Sequence, residues 1–304
     1  KAIRQHLPDS RNQFCERVMR PAYLSDQAIQ DFIKQALTED LGEGDHSTLG
    51  SIPLSKKCTA KLLIKDNGII AGVIMAERIF HQVDKDLQLT FYKNDGDPIE
   101  KGEIAFIVEG SARSILMAER LVLNCMQRMS GIATYTHRLC TIIKGTKAQV
   151  MDTRKTTPNF RLMEKWAVAI GGGRNHRFAL YDMVMLKDNH IDMAGGIRPA
   201  IENVKNYLDE KKKALKIEVE TRTLDEVREV VNVGGVDIIM LDNMSVTDMK
   251  KAVALVNGKY KTEASGGITE STLRSIAKCG VNYISIGALT HSVKSLDLSL
   301  KVEK

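Results

Sequence analysis

Hydrophobic and polar positions follow two different patterns along this chain. In residues 24–41, Ile29, Phe32, Ile33, Ala36 and Leu37 recur at helical spacing behind Ser25, a residue type that caps helices. The stretch 39–45, made of Glu, Asp and Gly around one Leu, reads as a turn. Short strand-like runs follow at 61–65, 87–92 and 104–108, separated by Gly68, Gly72, Gly96 and Gly102 and interrupted by one helix at about 75–83. That is the pattern of an α+β domain with turn-linked strands, and a long helical pattern over about 114–130 closes it.

From residue 148 the pattern changes. Apolar runs recur at 149–151, 183–186, 217–219, 238–241, 262–264 and 283–286. Helical stripes lie between them: Phe160, Met163, Trp166, Ala167 and Ile170; Leu224, Val227, Val230 and Val231; Met249, Ala252, Val253 and Val256; Leu273, Ile276 and Ala277. Alternating strand and helix implies right-handed βαβ units and a parallel sheet, either a (β/α) barrel or an open doubly wound sheet. No GxGxxG joins a strand to a helix, so a dinucleotide-binding fold gains no support.

In parallel α/β folds the site lies at the C-terminal ends of the strands, and here nearly every apolar run ends in polar residues or glycine. The runs end in Asp152-Thr153-Arg154-Lys155-Thr156-Thr157, in Lys187-Asp188-Asn189-His190, in Glu218 and Glu220, in Asp242-Asn243, in Ser265-Gly266-Gly267 and in Gly287-Ala288. Arg154, Lys155, His176, Arg177 and Lys187 can form a basic pocket for clustered carboxylates or phosphates. Taken singly, each is as readily a surface ion pair. Converging cations repel one another unless an anion is bound, which favours the functional reading for the set. Glu220 and Asp242 suit Mg²⁺ or ribose hydroxyls, with a plain salt bridge as the alternative. The glycines allow backbone N–H groups to approach a phosphate, or simply turn the chain. Gly171-Gly172-Gly173 ends the Phe160 stripe as a C-cap would.

Composition narrows the classes. The 304 residues are 43% hydrophobic and 27% charged, an ordinary globular mixture. No apolar run approaches the roughly 18 residues that span a bilayer. The first residues are mixed polar without a signal-peptide core, so a cytoplasmic location is the expectation. Cys15, Cys58, Cys125, Cys140 and Cys279 are scattered and read as reduced thiols. The net charge of +6 fits a solvated surface, a nucleic-acid partner or an anionic small substrate. Aromatic content of 5% and basic residues concentrated at strand ends weigh against nucleic acid.

The motifs Met151-Asp-Thr-Arg-Lys-Thr-Thr-Pro158, Gly171-Gly-Gly-Arg-Asn-His-Arg177, Leu186-Lys-Asp-Asn-His-Ile191, Glu218-Val-Glu220, Met240-Leu-Asp-Asn-Met244, Glu263-Ala-Ser-Gly-Gly-Ile268 and Ile284-Ser-Ile-Gly-Ala-Leu-Thr-His291 closely resemble those of the quinolinate phosphoribosyltransferase family. Upstream, Glu39-Asp-Leu-Gly-Glu-Gly-Asp45, Ala118-Glu-Arg-Leu-Val-Leu-Asn124 and Ser130-Gly-Ile-Ala-Thr134 match as well. The resemblance implies an N-terminal α+β sandwich at 22–129 and an incomplete (β/α) barrel with parallel strands at 130–289. A C-terminal tail at 290–304 would pack back on the first domain. Residues 1–21 form an extension without a counterpart. The implied reaction joins quinolinate to 5-phosphoribosyl-1-pyrophosphate (PRPP), with Mg²⁺ and loss of CO₂ and pyrophosphate, giving nicotinate mononucleotide for NAD biosynthesis. The implied homodimer shares each active site between subunits.

Residue by residue, the resemblance assigns Arg154, Thr156, His176, Arg177 and Lys187 to quinolinate, with Arg120 reaching in from the partner. It sets Lys155 between the substrates. Glu220 and Asp242 go to Mg²⁺ and ribose, and Ser265, Gly266, Gly267, Ile286, Gly287 and Ala288 to the 5-phosphate. Asn159-Phe160 stand where the family commonly has Gly-Leu, a departure in the loop after Pro158. A related barrel pyrophosphorylase acting on another heterocyclic acid is the neighbouring alternative, and a non-enzymatic anion-binding protein a more distant one.

Overall fold

The computed structural model describes residue 21 and residues 23–303; the extension expected at 1–21 lies almost wholly outside them. The chain separates into two compact units. One holds the described chain through Thr134, Pro158–Gly171 and the chain from Val293; the other holds Tyr135–Thr157 and Gly172–Ser292.

The first unit opens with α1 (Asp26–Leu41), whose N-terminus is capped by the Ser25 hydroxyl accepting the Ala28 N–H at 3.1 Å. The turn expected at 39–45 is shorter than its span, because α1 continues to Leu41 and Asp45 caps a further short helix, α2 (His46–Ser51). Then come β1 (Lys57–Ile64), β2 (Gly68–Ile69), α3 (Val73–Val83), β3 (Gln88–Phe91), β4 (Pro98–Ile99), β5 (Ile104–Ser111) and α4 (Ala112–Ile142). Helix α4 runs well beyond the expected end near Ser130. Gly131 looks like a stop but serves packing: a Cβ there would collide with the Lys294 carbonyl oxygen.

The second unit carries β6 (Gln149–Met151), followed in the chain by α5 (Arg161–Ile170), β7 (Val184–Leu186), α6 (Asp188–Ala194), α7 (Ile197–Glu210), β8 (Ile217–Thr221), α8 (Leu224–Val233), β9 (Ile238–Asp242), α9 (Val246–Val256), β10 (Lys261–Ser265), α10 (Glu270–Ala277), β11 (Tyr283–Ser285) and α11 (Ala288–His291). The last strand, β12 (Leu298–Val302), belongs to the first unit. It pairs antiparallel with β1, Leu62 opposite Leu300, and makes the sheet order β12-β1-β5-β3.

The six strands of the second unit are parallel, in the order β6-β11-β10-β9-β8-β7. Strands 7 to 11 are sequential and β6 returns beside β11. That is barrel order, open between β6 and β7, so the barrel alternative holds over the doubly wound one. Ile238, Ile239, Met240 and Leu241 are all buried, as expected of a strand covered on both faces.

One segment is assigned differently from the expected division at 129/130. Helix α5 clusters with the first unit. It buries Met163, Trp166, Ala167 and Ile170, and its fully buried Glu164 accepts two bonds from Arg128 of α4, at 3.1 and 2.9 Å. Just before it, Asn159 adopts φ 61°. Asparagine tolerates this left-handed conformation better than most residues, so it can supply a turn for which glycine is the usual choice.

Candidate active site

At the C-terminal ends of the barrel strands lies a cavity of about 920 Å³. Following the strand order from β7, the rim presents Lys187, then Glu220 from β8, Asp242 from β9, Ser265-Gly266-Gly267 after β10, Ile286-Gly287-Ala288 after β11, and Arg154 and Lys155 after β6. His176 and Arg177 complete the lining from the loop after the three glycines. This loop is tied to the sheet: Arg174 bridges Met151 in parallel register, and Gly172 takes φ 90° to bring the chain back. The buried Asp152 then accepts Asn175 Nδ2 at 2.6 Å and the His176 N–H at 2.9 Å.

The electrostatics are of two kinds. Arg177 has its pKa lowered, first by burial and then by the neighbouring Arg154 guanidinium. Arg154 Nε is itself buried without a hydrogen-bond partner. Cations held this way are arranged for an anion. Glu220 is pushed up from the usual carboxylate range, first by burial and then by Asp242 on the adjacent strand. Two hard oxygen donors repelling each other at an open cavity fit a divalent cation, Mg²⁺ above all.

The glycines have local reasons. Gly266 takes φ 90°, and a Cβ there would strike the Asn243 side chain. A Cβ on Gly287 would come within 3.0 Å of the Lys155 side chain and 3.1 Å of the His291 ring. The Thr290 hydroxyl donates to the Lys155 carbonyl at 2.7 Å, fastening the loop after β6 to α11. Asn243, itself at φ 52°, donates to the Asp242 carboxylate at 2.7 Å and so orients it.

Two expected site residues stand differently, and a third, Arg120, was expected only from the partner subunit. Arg120 is exposed on α4 in the first unit, whereas the described lining belongs to the second. Thr156 lies outside the lining, its N–H donating to the Arg154 carbonyl at 2.9 Å. His176, expected to meet a substrate carboxylate, has its ring nitrogens turned to the protein: Nδ1 accepts the Arg177 N–H at 2.7 Å and Nε2 lies 2.9 Å from Glu218. Glu263 lines the cavity and Glu218 lies buried beside His176, yet neither was assigned a role from the sequence. The available signal was alternation, since Glu218 and Glu220, like Glu263 and Ser265, share one face of a strand.

Two family models match the chain: quinolinate phosphoribosyl transferase, N-terminal domain, over residues 43–130, and the C-terminal domain of the same family over residues 132–301. A Nicotiana tabacum protein named quinolinate phosphoribosyltransferase (decarboxylating) 2b, mitochondrial, is 48% identical over 290 residues, which is 90% of this chain and 82% of that one. An Arabidopsis thaliana protein named nicotinate-nucleotide pyrophosphorylase (carboxylating), chloroplastic, is also 48% identical over 290 residues, 90% of this chain and 83% of its own. Among solved structures, NadC from Streptococcus pyogenes superposes with a TM-score of 0.86 at 38% identity, covering 92% of this chain and 99% of that chain.

Proposed function

The chain belongs to the quinolinate phosphoribosyltransferase family, and we propose that the cavity at its strand ends transfers the phosphoribosyl group of PRPP to quinolinate, releasing CO₂ and pyrophosphate and leaving nicotinate mononucleotide. The observation that carries this reading is the arrangement of the rim. Cations on either side of the barrel opening face carboxylates and glycine loops around the rest of the circle.

Arg154, Arg177 and Lys187 bind the two carboxylates of quinolinate. Ser265 and the N–H groups around Gly266, Gly267, Ile286, Gly287 and Ala288 bind the 5-phosphate. Glu220 and Asp242 hold the ribose hydroxyls and Mg²⁺, which when bound stabilises charge on the departing pyrophosphate. The C1–O bond to pyrophosphate breaks as the quinolinate ring nitrogen attacks C1. Positive charge on the sugar lies between the two carboxylates, and Lys155 meets the leaving group. The resulting ring cation accepts the electron pair released when the 2-carboxylate leaves as CO₂, and a proton from water takes its place. The 3-carboxylate stays on its arginine. No protein nucleophile is required, so positioning is the main contribution.

A homodimer follows from the same reading, with the exposed Arg120 completing the partner's cavity; sedimentation tests it. No helix among the described residues is long and apolar enough to cross a membrane. The free thiols Cys58, Cys125, Cys140 and Cys279 suit a reducing, cytoplasmic setting, which imaging of tagged protein checks against the organellar names of the plant relatives.

The deciding assay supplies PRPP and Mg²⁺ with either quinolinate or nicotinate. Nicotinate mononucleotide and CO₂ from quinolinate alone are expected. Turnover of nicotinate would overturn the two-carboxylate pocket, and no turnover by folded protein would overturn the reading.

A further inference from the structure

His176, Glu218 and Glu263 form a buried group, of which His176 and Glu263 reach the cavity lining. His176 Nε2 lies 2.9 Å from a Glu218 carboxyl oxygen and 3.6 Å from one of Glu263. One ligand atom from each residue falls within 4.8 Å of the others, a spacing that suits a metal ion. The far side of the ring argues against a metal. The Arg177 N–H donates to Nδ1 at 2.7 Å, so Nδ1 presents a lone pair and the ring proton sits on Nε2. A protonated nitrogen cannot ligate a metal.

That Nε2 proton instead faces two carboxyl groups. Asp152 meanwhile holds the His176 N–H at 2.9 Å, and Arg177 Nη1 donates to the Met183 carbonyl at 3.1 Å. The ring and its backbone are thus fixed immediately before Arg177.

We propose that Glu218 and Glu263 are positioning residues for anion recognition: they hold His176 as its Nε2–H tautomer, and that tautomer holds the Arg177 backbone where its guanidinium meets a substrate carboxylate. This rests on the reading of the cavity given above. His176 acts on anion recognition through Arg177.

The test compares Glu218→Gln, which keeps an acceptor for Nε2–H, with Glu218→Leu, which removes it. Glu218→Gln is expected to keep the quinolinate KM within about threefold, whereas Glu218→Leu raises it about tenfold or more with the PRPP KM little changed. Equal quinolinate KM values for the two variants, or parallel loss toward both substrates, would overturn the proposal. Long-range ¹⁵N NMR of histidine-labelled, ligand-free protein, with His176→Gln assigning the signal, reads the tautomer directly. The Nε2–H form is expected in the parent and in Glu218→Gln. An Nδ1–H or doubly protonated ring in the parent would sink the idea even if quinolinate is turned over. The NMR result also decides the matter if Glu218→Leu does not fold, and it needs no substrate. Its failure is therefore distinct from failure of the functional reading.

Discussion

The two units differ in their buried polar side chains: those of the first are paired within the fold, whereas the second mixes paired ones such as Asp152 and Thr221 with others that are not. In the first, such groups serve the fold. Asp95 accepts the N–H groups of Val73 and Ile74 at 2.9 and 3.2 Å, and so caps α3, whose own N-cap is the side-chain-free Gly72. The Ser130 hydroxyl accepts the Ala71 N–H at 2.9 Å and donates to its carbonyl at 3.1 Å. Glu164 is matched by Arg128. In the second unit, Arg154 Nε is buried with no partner, and Glu218 and Glu263 face one another. A buried polar group without a partner costs about 1–3 kcal/mol. A fold keeps such a group where a ligand completes it, and Arg154 lines the cavity. Thr136 Oγ1 on α4 is also buried without a partner, and the cavity does not explain it.

The sharpest way to break this contrast is a pair of arginine truncations. Arg128→Ala leaves the fully buried Glu164 without its guanidinium and is expected to destabilise the protein by about 3–5 kcal/mol in urea titration, with kcat/KM per folded molecule near the parent value. Arg154→Ala should do the reverse. It relieves the repulsion with Arg177, leaves the urea midpoint close to the parent, and lowers kcat/KM for quinolinate by about 2–5 kcal/mol. A variant of Arg154 that unfolds, or one of Arg128 that stays folded and loses activity, would erase the distinction between the units.

Legibility in the sequence followed the same division. Lys187, Glu220 and Asp242 each stand directly after or at the end of an apolar run, and Arg154 in the polar stretch that follows one, so strand-end placement marked them. Glu218 and Glu263 stood in recognisable motifs but drew no role, because their burial beside His176 depends on strands distant in sequence. Elements of the first unit were harder to read. Helix α2 is short, and beyond its Asp45 cap on the Thr48 N–H at 3.1 Å it is held by Arg113, which donates to the Ile52 and Leu49 carbonyls at 2.8 and 3.0 Å. Strand β12 has only the alternation of Leu298 and Leu300 to announce it, and its partner lies more than 200 residues earlier. Helix α4 runs past its expected end near Ser130, with Gly131 packed against the Lys294 carbonyl. Long-range packing decides each of these, and no local pattern encodes it.

The smallest expected effect concerns a buried carboxyl of the structural unit and appears as a pH dependence. Burial pushes Asp95 up to about 6 against the pull of the N–H groups it caps, from the usual aspartate value of 3.8. The folded state therefore holds this proton more tightly than the unfolded chain. Stability from this group is full below the unfolded value and is lost as pH rises through about 6. Asp95→Asn keeps one acceptor oxygen and removes the titration, so the decline of the urea midpoint between about pH 4 and 7 should be shallower than in the parent. Asp95→Ala loses the cap as well and should cost about 1 kcal/mol throughout that range. Quinolinate kcat/KM should stay constant in both variants, because this carboxyl serves a helix end in the first unit. A fall in activity without a fall in stability would show that a fully hydrogen-bonded buried carboxylate can also carry function, and partner satisfaction would then no longer separate structural from functional polar groups in this protein.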